Sequence, residues 1–313
     1  MVAIHINRDL LVRSARLDIL VLKANEPRFS DSISLRFDCC GVTHLRSNSI
    51  LLVSTDRIIS TDESSEWMSK FKSMLERTRN ENDNSSVIIV CHSYGCPFVQ
   101  YFLKRSDLVD QKWKDTNVRA LVGVAGAWAG HYRTLYKYIG DERDDLLTNL
   151  FPQIRRVERT FSSTSYLLPR GEIWRNHVLV RTPKRNYTAN DLEALFDDMH
   201  EEDLLEKYRD ARKAWGTFEH PGVELHCISG KGFPVPEKVT LNGPSFIADA
   251  TSKMHYGDGD GRLHIISQRA CREYASQRLD KQFSYQEINY EHIPLVQERG
   301  SLDHILSVIE SIV

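Results

Sequence analysis

No uninterrupted apolar run in this 313-residue chain approaches the roughly 20 residues that a helix needs to cross a bilayer, which argues against a membrane-spanning protein. An excess of charge of one sign is missing too. Lys and Arg number 41 against 43 Asp and Glu, a formal net charge of -2. Such a chain sets up no long-range field for polyanions, so nucleic acid is disfavoured as a partner. Of the six cysteines, none forms a C-x-x-C pair or a Cys/His metal spacing. They read instead as buried thiols in apolar, strand-like surroundings, and no metal or organic cofactor is indicated. There is no internal repeat and no low-complexity tract. The N-terminal stretch lacks the basic start and clean apolar core of a secretory signal, because Arg8, Asp9, Arg13 and Arg16 interrupt it. With Met1 taken literally as the start, the expectation is a cytoplasmic chain. Two sequons, Asn84-Ser85-Ser86 and Asn186-Tyr187-Thr188, permit a secretory setting without requiring one.

What is present is a hydrophobic content of 41%, enough for the core of one large domain. The first half alternates between strand and helix patterns. Leu17 to Leu22, Ile33 to Phe37 and Ile50 to Val53 are short apolar or alternating runs. From Glu66 to Arg77, Trp67, Phe71, Met74 and Leu75 recur at helical spacing and predict a core-facing helix. Val87 to Val90 and Val118 to Val124 read as fully buried parallel strands. The helix pattern between them carries Pro97 in its first turn, where proline is tolerated. Strand, helix and strand at this spacing predict an α/β fold with a mostly parallel sheet and helices on both faces. Residues 132–218 differ, being rich in charge and helix formers, and read as an inserted helical cap. The core is then residues 1–131 and 219–313. Glu224 to Ser229 and Phe283 to Ile288 return to strand character, and a helix over His304 to Val313 closes the chain.

The chemistry concentrates around Cys91-His92-Ser93-Tyr94-Gly95. A serine hydroxyl needs help to act as a nucleophile at neutral pH. An α/β-hydrolase holds it on a crowded strand-to-helix turn with small residues two positions to either side, here Cys91 and Gly95. The following helix N-terminus favours a developing oxyanion, and the backbone N–H of Tyr94 is the expected first donor. The bland alternative is that Ser93 merely caps a helix. His92 reads as structural, since it cannot reach round to act as the base of its neighbour. Such a serine needs a histidine base, and the histidine an acid, in the chain order Ser, acid, His. Tyr256-Gly257-Asp258-Gly259-Asp260-Gly261-Arg262 offers two carboxylates on a glycine-rich turn. A calcium loop is the competitor there, but Arg262 and Arg269 occupy ligand positions. For the base, His304 in Gly300-Ser301-Leu302-Asp303-His304 is favoured over His292, which precedes Ile293-Pro294.

Together these strings resemble the lecithin:cholesterol acyltransferase family, and most of all its lysosomal phospholipase A branch. Cys91 to Gly95 with Tyr101-Phe102-Leu103 resembles A-H-S-M-G…Y-F-L. Trp113-Lys114-Asp115 and the run Gly123 to Gly130 resemble W-K-D…L-G-A-P-W-G-G. Ser162 to Pro169 and Pro221 to Cys227 resemble cap and strand signatures. Tyr256 to Gly261 resembles Y-G-D-G-D-G-T-V, and Gly300-Ser301-x-x-His304 the histidine segment. The resemblance covers about Leu17 to the C-terminus. It implies Ser93 as nucleophile, Asp260 rather than Asp258 as acid and His304 as base, with no metal. It also implies a ping-pong transfer of fatty-acyl groups from phospholipid or another lipid ester to water or an alcohol. A membrane or lipoprotein surface would be the working partner, and the lysosome or extracellular fluid the setting. Departures are Ala127 and Ala129 in the W-G-G segment, Arg262-Leu263 in place of threonine-valine, and Ser54 to Arg57 where the family has Y-D-W-R. Residues 1–16 contain no P-G-x-x-G-N loop, the family's source of a second oxyanion donor, and no disulfide-linked lid loop follows. Loss of one donor typically costs ~100–1000-fold in rate. A truncated or inactive relative that binds lipid or a protein partner is therefore the alternative expectation, and a general carboxylesterase a third.

Overall fold

A computed structural model describes residues 61–139, 162–243, 246 and 251–312, together with three short strands before them. The central sheet has the order β11-β8-β5-β4-β2. Its strands are β2 (Ile19–Lys23), β4 (Val87–His92), β5 (Val118–Val124), β8 (Glu224–Gly230) and β11 (Phe283–Ile288). The last four run parallel, each beside its predecessor, and β2 is antiparallel to β4. Two further short strands, β1 (Ile4–Ile6) and β3 (Ile33–Leu35), pair in parallel as a two-stranded sheet of their own. The run Ile50 to Val53, and Cys39 and Cys40, lie outside the described residues.

Alternation along β4 explains the layering, because successive strand residues point to opposite faces. Val87, Ile89 and Cys91 join a cluster with Phe71 of helix α1 (Thr61–Asn80) and with Phe98 and Phe102 of α2 (Gly95–Lys104). Ile88 and Val90 join the opposite cluster, with Ile305, Val308 and Ile309 of the C-terminal helix. Both faces of the strand are covered, which is why it reads as an unbroken apolar run rather than an alternating one. The crossover from β4 to β5 runs through α2 and α3 (Gln111–Asn117). The expected α/β-hydrolase architecture, a mostly parallel sheet with helices around it, is what the chain forms.

Beyond β5 come α4 (Tyr132–Ile139), α5 (Ser162–Tyr166), α6 (Gly171–Trp174), α7 (Leu192–Asp198) and α8 (Glu202–Trp215). Between α6 and α7 lie two strands, β6 (Val178–Arg181) and β7 (Asn186–Thr188). These pair with β9 (Phe233–Thr240) and β10 (Lys253–Gly259) in a second sheet of order β10-β9-β6-β7. The region 132–218 thus contains strands as well as helices, and shares a sheet with the chain that follows β8. Proline lacks a ladder donor, and β9 accommodates Pro234 and Pro236 because β6 pairs only with its far end, at Val239 and Thr240. A short helix α9 (Ile265–Arg269) leads back toward β11, and α10 (Arg299–Glu310) ends the described chain.

The last helix begins earlier than its apolar pattern predicts. Leu302 N–H donates to the Glu298 carbonyl (2.9 Å), closing a helical turn around Gly300, and the Ser301 hydroxyl donates to the carbonyls of Glu298 and Pro294. His304 therefore lies in the second turn of α10, not at its start.

Trp128 is the largest fully buried side chain beside the parallel strands. A side chain on Gly123 or Gly126 would run into its indole, so these two glycines are required by close approach. Trp128→Ala removes a buried indole whose void the surrounding β5 backbone cannot fill. A loss of about 3–5 kcal/mol is expected, read as a lower denaturation midpoint at unchanged m-value. A loss below about 1 kcal/mol would contradict the packing described.

Candidate active site

Parallel strands put all their C-terminal ends along one edge of a sheet, where ligands bind in open α/β folds. Three of the four chain segments leaving that edge carry the site. Ser93 follows the last residue of β4. Its φ is +55°, in the left-handed region that costs a non-glycine residue roughly 1–2 kcal/mol. The conformation is enforced from both sides. Ser93 N–H donates to the Val124 carbonyl (3.0 Å), and the Ser93 carbonyl accepts from Ala127 N–H (3.0 Å). Below the turn, the free, buried thiols of Cys91 and Cys96 touch at 2.8 Å, so small side chains are what the crowding admits. Tyr94 occupies the N-cap of α2, where the helix itself uses no N–H. Its phenol is buried and its pKa raised by that burial.

Asp260 follows β10 directly and is fully buried. Gly261 adopts φ +81°, which turns the chain so sharply that one carboxylate oxygen, Oδ1, accepts from both Arg262 N–H (3.0 Å) and Leu263 N–H (2.6 Å). The turn is latched to β8 by Gln268, buried on α9. Its amide nitrogen donates to the carbonyls of Gly230 and Leu263, and its Oε1 accepts from Gly230 N–H. A Cβ on Gly230 would come within 2.7 Å of the Asp260 Cβ and closer still to the Tyr290 carbonyl, so the end of β8 must be glycine. Asp258 is one turn of the pleat away, inside β10, and its Oδ1 accepts from Gly232 N–H. Of the two candidate carboxylates, Asp260 faces the site.

The histidine that meets them is His292, and the preference for His304 is corrected. His292 lies four residues past β11, on the loop before the short turn Pro294–Val296. Its Nε2 is 2.9 Å from Ser93 Oγ and its Nδ1 is 2.7 Å from Asp260 Oδ2. His304 sits on α10, with its Nε2 buried and without a hydrogen-bond partner, and it takes no part in this chain of contacts. The physical reason is proximity to the sheet edge. A loop leaving the last parallel strand is already there, whereas α10 has turned back along the opposite face, where Ile305 and Val308 pack. Chain order alone admitted both histidines.

With Asp260 taking the proton on Nδ1, Nε2 is left to accept from the Ser93 hydroxyl. The arrangement can abstract that proton and return it to a leaving group. His92, beside the serine, is buried, and its Nε2–H donates to the His292 carbonyl (3.1 Å). Burial first, and then the neighbouring His292, push its pKa well down, which keeps it neutral. His131, on the segment leaving β5, is likewise held down by burial and then by Arg133. Gln268, Gly230 and the His92 contact carry no sequence signal, since each depends on segments far apart in the chain. No group of three or more His, Cys, Asp or Glu among the described residues is placed to hold a metal, and no described helix is long and apolar enough to cross a membrane.

The sequence pattern of the family described as lecithin:cholesterol acyltransferase matches residues 36–220, more than half of the chain and inclusive of Ser93. The lysosomal phospholipase A and acyltransferase of Rattus norvegicus is 32% identical over 226 residues, which is 71% of this chain and 53% of the relative. Its Homo sapiens counterpart gives the same identity and coverage. The phosphatidylcholine-sterol acyltransferase of Gallus gallus is 24% identical over 272 residues, or 86% of this chain and 61% of the relative. The chain spans about half the length of the lysosomal relatives it matches.

If the left-handed turn at Ser93 is strained, then Ser93→Gly should be more stable than Ser93→Ala by roughly 1 kcal/mol, because both lose the hydroxyl but only glycine tolerates the backbone. Equal stabilities in equilibrium unfolding would contradict the geometry.

Proposed function

From the premise that this chain belongs to the lecithin:cholesterol acyltransferase family, we propose that it is a serine-dependent acyl hydrolase and acyltransferase acting on fatty-acyl esters of phospholipids or related lipids. The observation that carries the reading is the unbroken contact from Ser93 through His292 to Asp260 at a left-handed turn of the strained kind that clusters at functional sites. The substrate class is taken from the relatives, which are named phospholipase A, acyltransferase and phosphatidylcholine-sterol acyltransferase.

In this reading Ser93 Oγ attacks the ester carbonyl as its proton passes to His292 Nε2. The imidazolium is stabilised by Asp260, whose carboxylate stays ionised. Negative charge on the former carbonyl oxygen meets the Tyr94 N–H at the positive end of α2. Collapse expels the alcohol portion of the lipid, protonated by His292, and leaves the acyl group on Ser93. Water or an acceptor alcohol then enters by the reverse sequence. Residues 132–218 would form the cap over a hydrolase core of residues 1–131 and 219–313. A peripheral membrane or lipoprotein surface would present the substrate, in an extracellular setting or in a lysosomal one like that named for the phospholipase A relatives.

Three substitutions test the assignment against the rival histidine. Ser93→Ala and His292→Ala should each lower kcat for ester cleavage by at least about 1000-fold and abolish covalent labelling by a fluorophosphonate. His304→Ala should leave both within about threefold of the wild type. An active preparation that resists the fluorophosphonate, or a His304→Ala variant as impaired as His292→Ala, would overturn the triad. A folded chain that binds phospholipid vesicles, takes no label and cleaves no ester would establish the binding-only alternative.

A further inference from the structure

We propose that His92 is a positioning residue for the base: its Nε2–H holds the His292 carbonyl and so fixes the imidazole at Ser93. This inference rests on the triad reading above.

The need for such a contact follows from how the base is attached. His292 is bound to Asp260 twice, through its side chain (Nδ1 to Oδ2, 2.7 Å) and through its backbone N–H to the Asp260 carbonyl (2.8 Å). Both bonds go to one residue, so they fix His292 relative to Asp260 and not relative to Ser93. The acid turn is in turn latched by Gln268 to β8, two strands away from β4. Among the described residues, the segment 289–296 makes two hydrogen bonds to β4 or its turn. One is His292 Nε2 to Ser93 Oγ, which carries the proton in flight and must break and reform in every cycle. The other is His92 Nε2 to the His292 carbonyl at 3.1 Å. Of the two hydrogen bonds, it is the one that can hold the register of base against nucleophile while the reacting bond is open.

His92 is suited to that task. It is the last residue of β4 and the immediate neighbour of Ser93, so its backbone moves with the nucleophile. It shares the strand face of Ile88 and Val90, toward the cluster that includes Leu295 of the base loop. Its ring packs on that of His292 with centroids 4.6 Å apart and planes tilted by 40°. A carbonyl can only accept, so Nε2 carries the proton. A misplacement near 1 Å costs on the order of 100-fold in a reaction that depends on alignment, so removal of the contact should register in kcat rather than in binding.

The test uses two amides of identical chemistry. His92→Gln carries an N–H to about the position of Nε2, and His92→Asn, one methylene shorter, does not. We expect the Gln variant to keep kcat within about threefold of the wild type. The Asn variant should fall by about 30-fold or more, with KM moving less than about twofold and the rate of fluorophosphonate labelling falling in parallel. Thermal midpoints of the two variants should be close, since each buries the same group. Equal kcat in the two variants, whether both full or both impaired, would overturn the proposal. So would losses that merely track the midpoints. A readout independent of turnover is the 15N NMR line of His292 Nε2, which shifts when that nitrogen accepts the hydrogen bond from Ser93 Oγ. It should hold its hydrogen-bonded position in the wild type and the Gln variant and move toward that of a free imidazole nitrogen in the Asn variant, and an unchanged line in all three would sink the idea. If the line behaves as expected but the wild type cleaves no ester, then the functional reading fails while the positioning contact stands.

Discussion

The structure turns on one constrained backbone position, the left-handed φ of Ser93 between β4 and α2. A side chain there is unfavourable in isolation, and the conformation persists because neighbours over-determine it. Val124 accepts the Ser93 N–H, Ala127 donates to its carbonyl, and the sulfur atoms of Cys91 and Cys96 leave no room for the chain to relax toward the core. Trp128 then seals the segment that leaves β5, against glycines that could carry no side chain. The sheet, the helix and the β5 loop are thus jointly responsible for lifting one hydroxyl to the rim.

The other half of the site is held by a different device. Asp260 is fully buried and anionic groups are costly to bury unpaired, yet its two oxygens are saturated by two backbone N–H groups and one imidazole. The turn that provides those donors depends on Gly261, and its seat against β8 depends on Gly230 and Gln268. None of these three residues touches the reacting atoms. They explain how a glycine-rich string becomes a rigid acid rather than a mobile loop. The second sheet matters for the same reason, since β10 delivers Asp260 to the rim and β9 ties β10 to the region that follows β5.

Most of the architecture was legible from local patterning. β5 and β11 run over the residues whose apolar spacing defines them, and β4 and β8 need only extension by two residues and one residue. β4, β5 and β8 are buried on both faces, so composition alone marks them, whereas β11, at the edge of the sheet, is half-buried along its length. The elbow at Ser93 was equally legible, because crowding imposes small residues at fixed offsets and the offsets survive in the sequence. Asp260 was separable from Asp258 only through the family resemblance. The geometry gives the reason, since two residues separate a carboxylate inside β10 that accepts from Gly232 from one just past the strand that meets the base.

The sequence by itself determined the class of fold, the nucleophile candidate and the acid turn, because each is written in contacts between residues close along the chain. It could not choose the base. His292 and His304 both follow the acid, both neighbour plausible turns, and differ only in where β11 and α10 carry them in space. Tertiary structure decided that choice. The loop after the last parallel strand opens onto the rim where Ser93 stands, while α10 folds back over the face of Ile88 and Val90. The partners that hold the base in place, Asp260 at 32 residues and His92 at 200 residues of separation, belong to the same category, since no local rule links positions so far apart in the chain.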